Sequence, residues 1–143
     1  SCAEEADQLG YERPLALGVT VLTSISQADF EQELGGHDGI QEHVARLAKM
    51  GEQAGLDGVV CSPHEIKTVR ETCGPGFLIV SPGVRPAWAG HDDQSRIMTP
   101  KEAILQGASY LVVGRPITKA ENPEDAARLI VTEMAEALAE LES

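Results

Sequence analysis

The chain has 143 residues, of which 42% are hydrophobic and 24% charged, and its formal net charge is −12. That length suits a single domain, residues 1–143, with a core of its own, and the composition is globular rather than disordered or fibrous. An acidic field repels polyphosphates and anionic lipid, two Phe, two Tyr and one Trp offer little for base stacking, and no apolar stretch reaches bilayer length, so nucleic-acid and membrane partners are disfavoured.

The opening SCAEEADQLG reads as the tail of a helix feeding the first strand. Residues 14–24, PLALGVTVLTS, form an almost continuous apolar run that ends in hydroxyl residues. This is the pattern of a strand buried on both faces in a parallel sheet covered by helices. SQADFEQEL then offers a Ser cap and a short helix, and DGIQEHVARLAKMGEQAG places Ile40, Val44, Leu47 and Ala48 at helical spacing before a terminating glycine.

Three further strand–helix units follow. GVVCS (58–62) is a short strand, followed by the helix PHEIKTVRETCG with Pro63 in its first turn and Gly74 past its end. FLIVSPGV (77–84) is a third strand, and after a long polar loop Thr99 caps the helix TPKEAILQGA. YLVVG (110–114) is the fourth, followed by the long amphipathic helix NPEDAARLIVTEMAEALAELE, capped by Asn122 with acids in its first turn. Tandem units of this kind predict an α/β architecture with parallel strands. A small doubly wound sheet is compatible with four units, whereas a closed (β/α)₈ barrel needs eight, so a barrel would be present here only as a half.

In either architecture ligands gather at the C-terminal ends of the strands. The residues there are Thr23 and Ser24, then Ser62, then Ser81, Pro82 and Gly83, then Gly114 and Arg115. In VVGRPITKAENPED (112–125) an apolar run breaks at a glycine, presents an arginine and reaches a helix start, an arrangement suited to a phosphate, whose oxygens a guanidinium matches with paired hydrogen bonds. The stretch SPGVRPAWAGHDDQSRIMTP (81–100) is long for a structureless loop in an α/β domain and carries Arg85, Gln94 and Arg96, so it reads as a lid over the same ligand.

Other chemistry is thinly represented. Cys2, Cys61 and Cys73 are an odd number with no metal-ligand spacing, which argues for reduced thiols, and Cys61, at the end of an apolar run, reads as a small core residue. His37, His43, His64 and His91 form no ligand pattern and read as surface or loop residues. Lys101 and Lys119 are the lysines near the loop and the last strand, and no P-loop, G-x-G-x-x-G or Ser-His-Asp pattern is present. The placed residues are suited to holding a phosphorylated ligand more than to transforming it. With no signal-peptide pattern at the start, the cytoplasm is the expected location.

VTVLTS, GLDGVVCS, SPGVRP with DDQSRIMTP, and YLVVGRPIT followed by NPEDAA closely resemble, in order and spacing, the second half of bacterial orotidine 5′-monophosphate decarboxylases. The resemblance implies a (β/α)₈ barrel of which this chain supplies the second four units, a cytoplasmic homodimer, and conversion of orotidine monophosphate to uridine monophosphate and CO₂ without metal or organic cofactor. It implies that Thr23 and Ser24 contact the pyrimidine, that Pro82 lines the base pocket, and that Arg85, Gln94, Gly114 and Arg115 hold the phosphate. The family's catalytic Asp-x-Lys-x-x-Asp motif belongs to the first half of the barrel and does not occur in this chain, so the resemblance implies a missing N-terminal half-barrel as partner and an inactive segment on its own. Two alternatives stand beside it. One is a metal-dependent phosphosugar enzyme on the same barrel; the other is a noncatalytic half-barrel that binds a phosphorylated ligand or associates through its open edges.

Overall fold

The computed structural model describes residues 2–22, 25–26, 28–30, 39–89 and 98–143. Helix α1 (Cys2–Leu9) ends at Gly10, whose φ of 73° is the left-handed conformation that glycine adopts without strain. Strand β1 (Leu17–Val19) leads to α2 (Ile40–Gln53), β2 (Gly58–Val60) to α3 (Ile66–Cys73), and β3 (Leu78–Pro82) to α4 (Pro100–Leu105). Strand β4 (Tyr110–Val112) is followed by the four-residue α5 (Arg115–Thr118) and by α6 (Pro123–Glu142).

Local chemistry sets most of these boundaries. Residues 28–30 are helical, and the Ser26 hydroxyl accepts from the Asp29 N–H at 3.2 Å, as the Ser cap predicts. Thr99 and Glu102 form a reciprocal capping box at α4, and the Asn122 side chain accepts from the Glu124 and Asp125 N–H groups at α6. The helix expected from Pro63 begins instead as a 3₁₀ turn, Pro63–Glu65, before α3 proper. The Ser62 hydroxyl accepts from the His64 N–H at 3.4 Å, a long local contact made within the turn.

The four strands are all parallel and lie in chain order, β1-β2-β3-β4. By the right-handed crossover rule, consecutive parallel strands without a reversal of order put the connecting helices on one side of the sheet, unlike the doubly wound alternative. Burial agrees: Val59, Cys61, Ile79 and Ser81 are enclosed with Val44, Ala48, Ile66, Val69, Ala103 and Ile104. Alternate residues face the other way. The pairing register aligns Val19, Val60, Val80 and Tyr110 in one row, with Leu17 and Val112 on the same face, and at the outer strands this face is open, Val19 being 63% and Tyr110 56% exposed. The expectation that 14–24 is buried on both faces therefore fails for β1. Its apolar run is real, but only the helix-facing side is covered by described residues.

Two close approaches hold the sheet at its N-terminal end. A Cβ on Gly58 would lie 2.2 Å from the Leu78 carbonyl oxygen, so only glycine lets β2 and β3 pair here. Asp57 accepts from the Ala16 N–H at 2.7 Å and pairs with Arg13, fastening the start of β1 to β2. At the surface Lys101 pairs with Glu140 at 2.9 Å, joining α4 to α6.

Candidate functional site

Arg85 and Arg115 lie 30 positions apart in sequence, yet both line one cavity of about 70 Å³ at the C-terminal rim, with Ala89, Pro116 and Lys119. β3 delivers the first: past Pro82, Gly83 turns with φ of 82°, and Val84, Arg85 and Pro86 are buried. The Arg85 N–H donates to the Met98 carbonyl at 2.9 Å, which ties the two ends of the long loop together. Arg85 is only 8% exposed. β4 delivers the second: Gly114 ends the apolar run and Arg115 opens α5, exposed at the rim. The chain thus brings guanidinium groups from two strand ends to one small, cation-lined space.

The other expected site residues divide into three groups. Pro82 is the last residue of β3, half-buried, in register with Val112 on the open face of the sheet. Thr23, Ser24, Gln94 and Arg96 lie outside the described residues, as do His37 and His91. Ser81, expected at the rim, is fully buried on the helix side, where its hydroxyl donates to the Cys61 carbonyl at 3.0 Å; strand alternation turns it away from the open face. His64 is exposed as expected, but His43 is a half-buried helix residue whose ring meets Phe30 edge-on, the centroids 4.9 Å apart. Cys61 is the core residue expected, and burial pushes its thiol up to about 12, which leaves it protonated and unreactive.

A larger cavity of about 530 Å³ lies beyond the ends of β1 and β2, bordered by Leu22, Ile25, Gln41, Ser62, His64 and Glu65. Glu65 is 7% exposed, and one of its carboxylate oxygens has no hydrogen-bond partner among the described residues. Burial raises its carboxyl above the ordinary 4.5, while Ser62 and His64 pull more weakly the other way. The folded state therefore holds a proton that the unfolded chain has lost, and this contribution is complete below the unfolded value and fades as pH rises through the raised one. Glu65→Gln keeps the shape and removes the ionisation. Relative to the wild type it is expected to gain stability as pH rises across that interval, read by urea unfolding at several pH values. A difference that stays flat with pH would show that Glu65 ionises normally.

A family model described as orotidine 5′-phosphate decarboxylase / HUMPS family matches residues 1–130. The chain belongs to that family. It is 56% identical over 126 residues to an orotidine 5′-phosphate decarboxylase of Heliobacterium modesticaldum, which covers 88% of this chain and 52% of the relative. It is 53% identical over 131 residues to the enzyme of the same name from Moorella thermoacetica, covering 92% and 52%. A crystal structure of orotidine 5′-phosphate decarboxylase from Lactobacillus acidophilus superposes with a TM-score of 0.73 at 43% identity, over 87% of this chain and 51% of that one. The chain thus spans about half the length of the curated relatives it matches, and its four βα units are half of a (β/α)₈ barrel.

Proposed function

We propose that residues 1–143 supply the phosphate- and pyrimidine-recognition half of an orotidine 5′-monophosphate decarboxylase, which releases CO₂ from orotidine 5′-monophosphate to leave uridine 5′-monophosphate in pyrimidine biosynthesis. The observation that carries this reading is the convergence of Arg85 and Arg115 on one rim cavity, in a chain about half of whose residues are shared with relatives bearing that name. Arg85, Gly114 and Arg115 hold the phosphate with Gln94. Pro82 lines the base pocket, and Thr23 and Ser24 read the pyrimidine. The reacting groups belong to an Asp-x-Lys-x-x-Asp motif in the other barrel half, where a preorganised array of charges favours the carbanion formed as CO₂ leaves. The protein on this reading is a cytoplasmic homodimer that works without metal or cofactor, and the segment by itself is inactive.

The phosphate grip contributes from a distance. Binding energy gathered at a remote phosphate is spent on ordering the charged site and excluding water, so it raises the rate without touching the reacting carbon. The test is decarboxylation of orotidine 5′-monophosphate by protein carrying both barrel halves, with and without a metal chelator. Turnover that survives the chelator supports the reading; turnover of a phosphosugar alone, and only with added metal, would replace it with the phosphosugar alternative.

A second reading, a noncatalytic half-barrel that binds a phosphorylated ligand or pairs with another half, is favoured by one observation: the open face carrying Leu17, Val19, Tyr110 and Val112. Exposed apolar surface of this extent favours association. Sedimentation of residues 1–143 decides whether they self-associate, and full activity of the intact protein would set this reading aside.

A further inference from the structure

Lys119 stands apart from the other lysines of the chain. Lys49 pairs with Glu52 at 2.5 Å, Lys67 with Glu71 at 3.8 Å and Lys101 with Glu140 at 2.9 Å, whereas Lys119 has no carboxylate within ion-pair distance among the described residues. It caps α5, the turn opened by Arg115, and lines the same small cavity as Arg85 and Arg115. With 23 acidic residues against 11 Lys and Arg in the chain, carboxylates are the commoner charge by about two to one, yet none of the described residues that line this cavity is acidic. A volume of about 70 Å³ is well below the ~300–1,000 Å³ of an ordinary small-molecule pocket, so the space fits one head group rather than a ring system.

We propose that Lys119 is a third cationic contact for the ligand's phosphate and that it captures the ligand rather than positioning it for reaction. The inference rests on the phosphate site proposed above and extends it by a residue. The three cations divide the work according to exposure. Arg85 is buried and its backbone is tied to Met98, so it fixes geometry. Lys119 is an exposed ammonium on a flexible stem, a point charge with no fixed fork, so its contribution is long-range attraction that salt screens. A third positive charge also favours a phosphate dianion over a carboxylate or sulfonate of single charge.

The experiment is equilibrium binding of uridine 5′-monophosphate, uridine and inorganic phosphate to the full-length protein at low and at physiological salt. Lys119→Ala is expected to weaken uridine 5′-monophosphate about fivefold at low salt and less at physiological salt, to leave uridine unchanged, and to leave kcat near its original value while KM rises. Lys119→Arg should retain binding, since the charge is kept. Lys67→Ala, which removes an equal charge from an exposed site on α3, should have no effect, and this separates a local contact from a change in net charge. Undiminished binding in Lys119→Ala alongside weakened binding in Arg115→Ala would overturn the role of Lys119 and leave the phosphate site standing. Undiminished binding in both would overturn the site itself. Inorganic phosphate that binds and follows the same order of variants, with no binding of the nucleotide, would uphold the cation cluster and sink the pyrimidine reading.

Discussion

Arg115→Ala in the full-length protein is expected to remove about 2–5 kcal/mol of transition-state stabilisation, seen as a rise in KM together with a fall in kcat for orotidine 5′-monophosphate. The size follows from a charged hydrogen-bond partner that becomes enclosed once the ligand is held. The joint change in both constants follows from the role: a grip that only bound the ground state would raise KM alone. Arg115 is a cleaner probe than Arg85. It is exposed at the rim, so its removal should leave unfolding nearly unchanged, whereas Arg85 is buried beside the hydrogen bond to Met98 and its loss would mix stability with function. Wild-type kinetic constants in the Arg115 variant would take the residue out of the site and with it the main support for phosphate recognition.

Arg70→Ala is expected to cost about 3–5 kcal/mol of folding stability, the largest loss from any single polar side chain in the described residues. From the last turn of α3 its guanidinium donates to the Gly74 carbonyl at 2.5 Å, to the Phe77 carbonyl at 2.8 Å and to the Gly107 carbonyl at 2.6 Å. One side chain thereby joins the end of a helix, the approach to β3 and the turn before β4. Gly107 makes room for it: a Cβ there would lie 2.9 Å from the Arg70 Nε, and its φ of 105° suits glycine alone. Removing the guanidinium leaves three half-buried carbonyls without their charged donor. Arg70→Lys should recover little, because a single ammonium cannot span acceptors that a planar fork reaches on two sides. Denaturant unfolding checks both variants; a loss below about 1 kcal/mol in Arg70→Ala would mean that water satisfies those carbonyls as well as the arginine does.

Arg70 shows where sequence reading stops. In PHEIKTVRETCG it is one more polar residue on an amphipathic helix, because its Gly107 acceptor is 37 positions away. Glu65 is a different case. It stands three residues after Ser62, a capping-box spacing that the sequence reading did not use, and only the fold decides that its carboxyl is buried with an oxygen unpaired among the described residues. Ser81 was placed at the rim because it follows an apolar run, and alternation along β3 turned it inward. Arg115 was singled out from its position after a strand and Arg85 from the long loop 81–100, and the structure adds that Arg85 is buried, Arg115 exposed, and Lys119 beside them.

What the amino-acid sequence determined by itself is the order of strands and helices, the caps that start them, and the polar residues waiting at the strand ends. These are short-range properties, decided within a few residues by side-chain hydrogen bonding, backbone freedom and the spacing of apolar groups. The family resemblance already implied half of a barrel, which the strand order bears out; only the tertiary structure decided which face of the sheet is covered and which of the rim residues share a cavity. Those facts depend on register and burial summed over segments tens of residues apart, and no local preference encodes them: a one-residue shift of β3 or β4 would leave every propensity intact and send Pro82 or Val112 to the opposite face.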